Sequence, residues 1–276
     1  MARSPSVRRP DRHVLYEAAV QSVEHDLDFF ERVYRATRGR GFTRLREDFS
    51  GTAALSCAWV MRGRLHRAWA VDHDPAVLAW ARRHRLPRMR EAARRLTLEC
   101  RDARARSASR VDVVVALNFS YWVFHARRDL LAYLRAARRG LRVGGLFFAH
   151  VFGGTEAMEP LRETRRIGER RSVDGSRVAP FTYVWEQTSF NPVDHRLRCS
   201  IHFRLQGRRV MRQAFRYDWR MWTLPEQREL LLEAGFARTE VHLEERGPRR
   251  GRGPVYRRRE RFENHPGWLA YVVGVA

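Results

Sequence analysis

Residues 46–60 read REDFSGTAALSCAWV. Two acids precede a lone glycine, small residues follow, and an apolar run at helical spacing comes last. A strand that turns tightly into a helix beside a ligand has this order. Gly51 lets backbone approach a ligand because it has no Cβ. Thr52, Ala53 and Ala54 offer backbone N–H groups at the start of the helix. A pyrophosphate cradle needs more glycine, in the pattern G-x-G-x-x-G. With one glycine and two adjacent acids, the turn suits a cationic or amino-bearing ligand better than a phosphate.

Outward from this turn, strands and helices alternate. FTRLREDF (42–49) reads as a short first strand, weakly apolar for a central position, and TAALSCAWVMRG (52–63) as the helix after it. HRAWAVD (66–72) is a strand ending at Asp72, and Pro75 opens the helix PAVLAWARRH at its first turn. RLTLECRD (95–102) and RVDVVVALNFS (110–120) are the third and fourth strands, the latter apolar enough for a buried parallel position. The amphipathic helix ARRDLLAYLRAARRGL (126–141) and the buried strand GGLFFAHVF (144–152) follow. Such alternation predicts a doubly wound, Rossmann-like α/β fold with helices on both faces of a mostly parallel sheet.

The texture changes after Gly153-Gly154. Three stretches rich in aromatic and β-branched residues begin at Phe181, His195 and Arg208, separated by turn residues, and read as an inserted three-stranded antiparallel meander. The helix LPEQRELLLEAGF (224–236) and two final strands, 237–245 and 267–276, complete a seven-stranded sheet with a C-terminal antiparallel strand. A single helix is predicted over 14–38. The resulting division is an N-terminal helical cap (1–41), a ligand-binding domain (42–153 and 224–276) and an antiparallel β lid or substrate region (154–223).

Composition bounds the function. The chain has 276 residues, 44% of them hydrophobic, which predicts a globular protein with a real core. The formal charge of +23 invites a nucleic-acid reading, yet all 54 basic residues are arginine. Phosphate binding would retain some lysine, so arginine alone points to the codon usage of a GC-rich genome. One stretch, ERGPRRGRGPVYRRRERF (245–262), concentrates charge, and its Gly and Pro content predicts a solvated, mobile loop. The three cysteines, Cys57, Cys100 and Cys199, are widely spaced and suggest neither a disulfide framework nor a metal site. No apolar run reaches the roughly 18 residues of a membrane span, and the N-terminus lacks the apolar core of a signal peptide. A cytoplasmic, reduced protein with no metal and no membrane association is the expectation; the oligomeric state is not legible.

Acids stand at the ends of the first three strands, beginning with Glu47 and Asp48, and an amide ends the fourth. Asp72 follows Gly51 by 21 residues, the spacing at which an acid takes ribose hydroxyls in nucleoside-binding α/β sheets. Asp102 closes the third strand and Asn118 the fourth. The series REDFSGTA, AVDHDP, CRDA, VDVVVALNFS and LRVGGLFFAHVF resembles the motif series of class I S-adenosylmethionine-dependent methyltransferases. It covers roughly residues 40–153, and LLLEAGF with the final strand pair also fits. The antiparallel insertion is similar to that of small-molecule N-methyltransferases, where it forms a lid or substrate wall.

The resemblance implies S-adenosylmethionine as cofactor. It puts Glu47 near the methionine part, Gly51 at the centre of the motif with Ser50, Thr52 and Ala53 around it, and Asp72 on the ribose beside His73. Asp102 would take the adenine amine with Ala103 beside it. Asn118 and Phe119 would face the transferring methyl, and Tyr16 and Gln21 would close over the cofactor. Phe49 and Ala53 stand where the family usually has glycine, and Asp48 adds a second acid, so the contact falls to Glu47 or Asp48. On the substrate side, His150, Tyr217 and Arg220 are the candidate catalytic residues. Methyl transfer to an N or O acceptor on a small molecule is the first expectation. An RNA or protein methyltransferase docking through the Arg-rich loop 246–261 is the second. The third is a nicotinamide-dependent oxidoreductase or a non-catalytic nucleotide-binding domain, which the missing glycines disfavour.

Overall fold

A computed structural model describes residues 11–107, 109–245 and 254–276. Two helices, α1 (Arg12–Val20) and α2 (Val23–Arg38), lead into strand β1 (Arg44–Asp48). Helix α3 (Ala54–Met61), strand β2 (Arg67–Asp72), helices α4 (Pro75–His84) and α5 (Leu86–Met89), and strands β3 (Leu96–Cys100) and β4 (Val111–Ala116) follow. Helix α6 (Arg127–Gly140) and strand β5 (Leu141–Gly153) complete the parallel half.

Strand β4 has the sequence VDVVVA and is buried throughout. Its side chains split by the two-residue period of a strand. Val114 and Ala116 pack with Leu130 and Leu134 of α6 on one face. Val113 and Val115 join Leu27 and Phe30 of α2 and Trp59 of α3 on the other. Each fully buried branched chain stabilises the layer by about 1.5–3 kcal/mol. The helices are stopped and started by local chemistry. Asp74 caps α4 through Ala76 N (2.8 Å), with Pro75 as its first residue. Gly39 ends α2 in a left-handed conformation (φ 68°).

The chain then builds β6 (Leu161–Ile167), the short pair β7 (Arg170–Arg171) and β8 (Arg177–Val178), and β9 (Phe181–Phe190), β10 (Arg196–Arg204) and β11 (Val210–Arg220). Helix α7 (Leu224–Glu233), β12 (Arg238–Glu244), β13 (Tyr256–Arg258) and β14 (Trp268–Val275) finish it. The main sheet has eight strands in the order β13-β12-β14-β5-β4-β1-β2-β3. Its direction of winding reverses between β1 and β4, the place where open α/β sheets bind ligands. A second sheet runs β11-β10-β9-β6.

The doubly wound sheet matches the sequence expectation, with four differences. The helix predicted over 14–38 is broken at Gln21 and Ser22, whose backbones are extended or irregular. The two pieces belong to different cores: Leu15 and Ala19 of α1 pack with Phe181, Ile201 and Phe203 of the second sheet, and α2 packs on the main sheet. The main sheet gains an eighth strand, β13, from within the arginine-rich stretch. Tyr256 anchors it, buried against Phe29 and Tyr271 at ring distances of 5.2 and 4.8 Å; residues 246–253 of that stretch lie outside the described residues. The inserted sheet has four strands rather than three. The extra one, β6, reads LRETRRI and is exposed along five positions, so no apolar pattern marks it; it is held by its ladder to β9, from Leu161–Gln187 to Ile167–Phe181. Last, β7 and β8 form a small hairpin of their own.

The weak apolarity of β1 has a specific resolution. Arg46 and Asp48 point to the same face and form an ion pair at 2.9 Å, both side chains fully buried. Tyr133 donates to the same carboxylate at 3.1 Å. A Cβ on Gly140 would lie 2.3 Å from Arg46 Nη1, so glycine at the end of α6 makes room for the guanidinium. Removing one partner would strand the other's charge in the core. Asp48→Ala is therefore expected to cost about 3–5 kcal/mol in urea unfolding, and the double variant Arg46→Met/Asp48→Leu to recover most of that loss.

Candidate active site

The turn between β1 and α3 is built from alternating left-handed residues: Phe49 (φ 57°), Gly51 (φ 53°) and Ala53 (φ 56°). Only Gly51 takes this conformation without penalty; each of the others is strained by about 1–2 kcal/mol. Packing holds them there. The Phe49 ring lies 5.4 Å from Tyr133 and 5.9 Å from Phe124, and Ala53 is fully buried. Backbone bonds fix the path: Ser50 N donates to Val71 O (2.9 Å) and Ala53 N to Ser50 O (2.9 Å). The Ala53 N–H is thus used within the turn, contrary to the expectation that it is free.

The acids take distinct roles. Asp48 is committed to Arg46. Glu47 points to the opposite face and accepts from Ser56 N (2.9 Å) and Ser56 Oγ (2.6 Å). Burial pushes its carboxyl up to about 7, only partly offset by Ser56. Asp72 accepts from Gly51 N (2.7 Å) and Asp74 N (2.9 Å), which ties β2 to the β1 turn. His73 lies 3.6 Å from Asp72, with its ring largely in solvent. Asp102 is clamped by Arg104, whose Nη2 lies 2.7 Å away, and these hydrogen bonds hold its carboxyl below the usual range. Beyond β4, Asn118 (φ 51°) and Phe119 (φ 59°) are two consecutive left-handed residues.

A cavity of about 620 Å³ lies over these strand tips, lined by Tyr16, Gln21, Glu47, Ser50, Gly51, Thr52, Asp72, His73, Asp102, Ala103 and Asn118. A second cavity of about 1360 Å³ adjoins it between the two sheets. Tyr16, Asn118, Tyr217 and Trp219 line both. The Tyr16 and Tyr217 hydroxyls are hydrogen-bonded to each other, and burial raises Tyr16 to about 12. Phe119 and His150 line the larger cavity only. The His150 imidazole stacks on Tyr271 (4.7 Å), its Nε2 lies 3.4 Å from the Tyr256 hydroxyl, and burial lowers its pKa to about 4.

Two expected residues lie elsewhere. Ala53 lines neither cavity; it is packed beneath the turn. Arg220 faces away: its guanidinium sits 3.8 Å over Trp222, donates to His125 O at 3.0 Å and pairs with Glu226 at 3.4 Å. Strand alternation explains this, since Tyr217 and Trp219 occupy the cavity face and Arg220 the other.

Other residues of the site were not singled out by the sequence. Tyr183 and Trp185 of β9 line the larger cavity and Asp26 of α2 the smaller. Asp26 carries a signal: it is three residues after Val23 and four before Phe30, so it interrupts the apolar stripe of its helix. Among the described residues, no group of three or more His, Cys, Asp or Glu could hold a metal ion, and no helix is long and apolar enough to cross a membrane.

No family model matches the chain, and no curated protein matches it. Solved structures do. DesVI of Streptomyces venezuelae is 16% identical, with a TM-score of 0.68 over 97% of this chain and 99% of that one. A sugar N-methyltransferase from Streptoalloteichus is 17% identical, with a TM-score of 0.63 over 100% and 98%. An S-adenosylmethionine-dependent methyltransferase from Clostridium acetobutylicum is 16% identical, with a TM-score of 0.62 over 94% and 95%. From its N-terminal helices through its antiparallel insertion, the chain has the fold of these three solved structures.

Proposed function

We propose that this protein is an S-adenosylmethionine-dependent methyltransferase acting on an N or O acceptor of a small molecule. The observation that carries this reading is the pair of cavities joined at Tyr16, Asn118, Tyr217 and Trp219: one sits over the strand tips, and the other is walled by the inserted sheet. Residues 42–153 and 224–276 form the cofactor-binding unit in this reading. Residues 154–223, with α1 packed against them, form the acceptor wall.

The smaller cavity suits the cofactor. Ser50 Oγ and Gln21 Oε1 are buried there without a hydrogen-bond partner among the described residues, and both line it. Glu47 would hold the methionine end, Asp72 the ribose and Asp102 the adenine amine. The bound cofactor supplies a methyl on a sulfonium, a good leaving group. The chain's own task is alignment, which is worth roughly 7–11 kcal/mol when reacting atoms are held near contact. Asn118 stands at the junction where that alignment would occur, with Phe119 on its acceptor side. The aromatic wall of Tyr183, Trp185, Tyr217 and Trp219 would fix the acceptor and exclude water. His150 would orient the acceptor, because its imidazole is neutral at pH 7 and lines the acceptor cavity, where its ring nitrogen can accept a hydrogen bond.

S-adenosylhomocysteine at one hundred times its dissociation constant is expected to stabilise the protein by roughly 2.7 kcal/mol in thermal unfolding, and NAD at the same concentration to leave it unchanged. Stabilisation by NAD alone would overturn the reading. By calorimetry, Asp72→Ala weakens that binding at least tenfold, whereas Asp74→Ala, which loses only a helix cap, stays within about threefold. His150 tests the acid limb. In the unfolded chain it takes up its proton near 6.5, in the fold only near 4, so it contributes stability at neutral pH that is lost as pH falls through that window. His150→Asn is expected to narrow the stability gap between pH 7 and pH 4.5 and to lower kcat with little change in cofactor affinity.

A further inference from the structure

The cofactor cavity contains carboxyl groups that the chain's many arginines leave alone. Asp48 is paired with Arg46, Asp102 with Arg104, and Asp74 caps α4. Arg101, also in the lining, is spent on Glu99 at 2.7 Å. Arg12 and Arg216 are exposed, and the Arg12 guanidinium lies over Phe215 at 5.3 Å. His13 is held neutral, chiefly by burial. Asp72 accepts from two backbone N–H groups and, among the described residues, has only His73 as a charged partner. Among the described residues Glu47 accepts only from Ser56; the nearby Arg85, which draws its pKa down somewhat against burial, is itself paired with Glu17 at 2.5 Å. Asp26 accepts from the Tyr271 hydroxyl at 2.8 Å and makes no ion pair among the described residues.

The placement of Asp26 matters. Tyr271, its partner, stacks on His150, which lines the acceptor cavity. Asp26 is thereby linked, through Tyr271, to a residue that lines the acceptor cavity. Burial pushes it up to about 7, the same value that burial gives Glu47. A cation placed between two such groups draws both toward the ionised form, and a neutral ligand does not.

Resting on the function proposed above, we infer that Asp26, with Glu47, reads the charge on the cofactor's sulfur and so favours the sulfonium over the thioether product. In the transfer the acceptor's lone pair forms the new bond to carbon, the S–C bond breaks, and its electron pair remains on sulfur. Positive charge leaves the sulfur with the methyl, and the acceptor's proton passes to water. The cavity then holds two carboxyls facing a neutral sulfur, its grip weakens, and a proton is taken up as product replaces cofactor. The reaction thereby labels its own product for exchange.

The test is titration calorimetry on the full chain at pH 7, in two buffers of different ionisation enthalpy. Sinefungin, which carries an ammonium where the methyl sulfonium stands, is compared with S-adenosylhomocysteine. In the wild type, sinefungin binding releases more protons than S-adenosylhomocysteine binding. Asp26→Asn lowers the affinity ratio of sinefungin to S-adenosylhomocysteine by about tenfold. Asp28→Asn, an exposed acid of the same helix paired with Arg62, leaves the ratio within about twofold. Equal proton release by the two ligands in the wild type, or an equal fall in the Asp28 variant, overturns the inference and leaves the methyltransferase reading standing. If neither ligand binds, both are overturned. The wild-type proton measurement decides the matter even where Asp26→Asn does not fold.

Discussion

Strand β1 must carry charge through the middle of a sheet. Arg46, Glu47 and Asp48 are consecutive, buried and flanked on both sides by parallel strands. An uncompensated charge there would be untenable, and the strand divides the problem between its faces. On one face Arg46 and Asp48 neutralise each other beneath α6. On the other, Glu47 makes no ion pair among the described residues and accepts from the hydroxyl and backbone N–H of Ser56. One strand thus delivers a closed ion pair to the core and an open carboxyl to a cavity. The turn that follows inherits this arrangement, because the Asp48 partner Tyr133 also packs on the Phe49 ring and holds it in a backbone region that phenylalanine avoids.

The glycine-rich character of such a turn is a property of backbone geometry before it is a property of sequence. Phe49, Gly51 and Ala53 take the same left-handed conformation although only one is glycine. A pattern search for glycine would pass over this chain, and the comparison with family models finds nothing. The shape is nevertheless retained and stabilised by neighbours instead of by permissive residues.

Much of the fold was legible because its periodicities are strong. Strand β4 has an uninterrupted apolar run, α4 begins at Pro75 after an Asp cap, and α6 keeps a clear apolar stripe. The failures share a cause: contacts distant in sequence overrode the local pattern. Strand β6 is arginine-rich and exposed, and only its ladder with β9 makes it a strand. Strand β13 depends on Tyr256 finding Phe29 and Tyr271. The Gln21–Ser22 break is invisible in an apolar spacing that continues across it. For the site, acids at strand ends were readable from spacing, whereas Arg220 was misread because strand alternation alone does not say which face meets the cavity. Asp26 was hidden as one more acid on a charged helix, although its place in the apolar stripe marks it.

That break has a mechanical corollary. Helix α1 shares its apolar contacts with the inserted sheet, and α2 shares its own with the parallel sheet. Tyr16 rides on the first of these bodies, Asp26 on the second, and Gln21 lies in the break between them. Displacing the inserted sheet drags the roof of the smaller chamber with it, while the floor stays anchored. The smaller chamber is thus walled by both bodies, and a shift of the inserted sheet changes its roof together with the wall of the larger chamber.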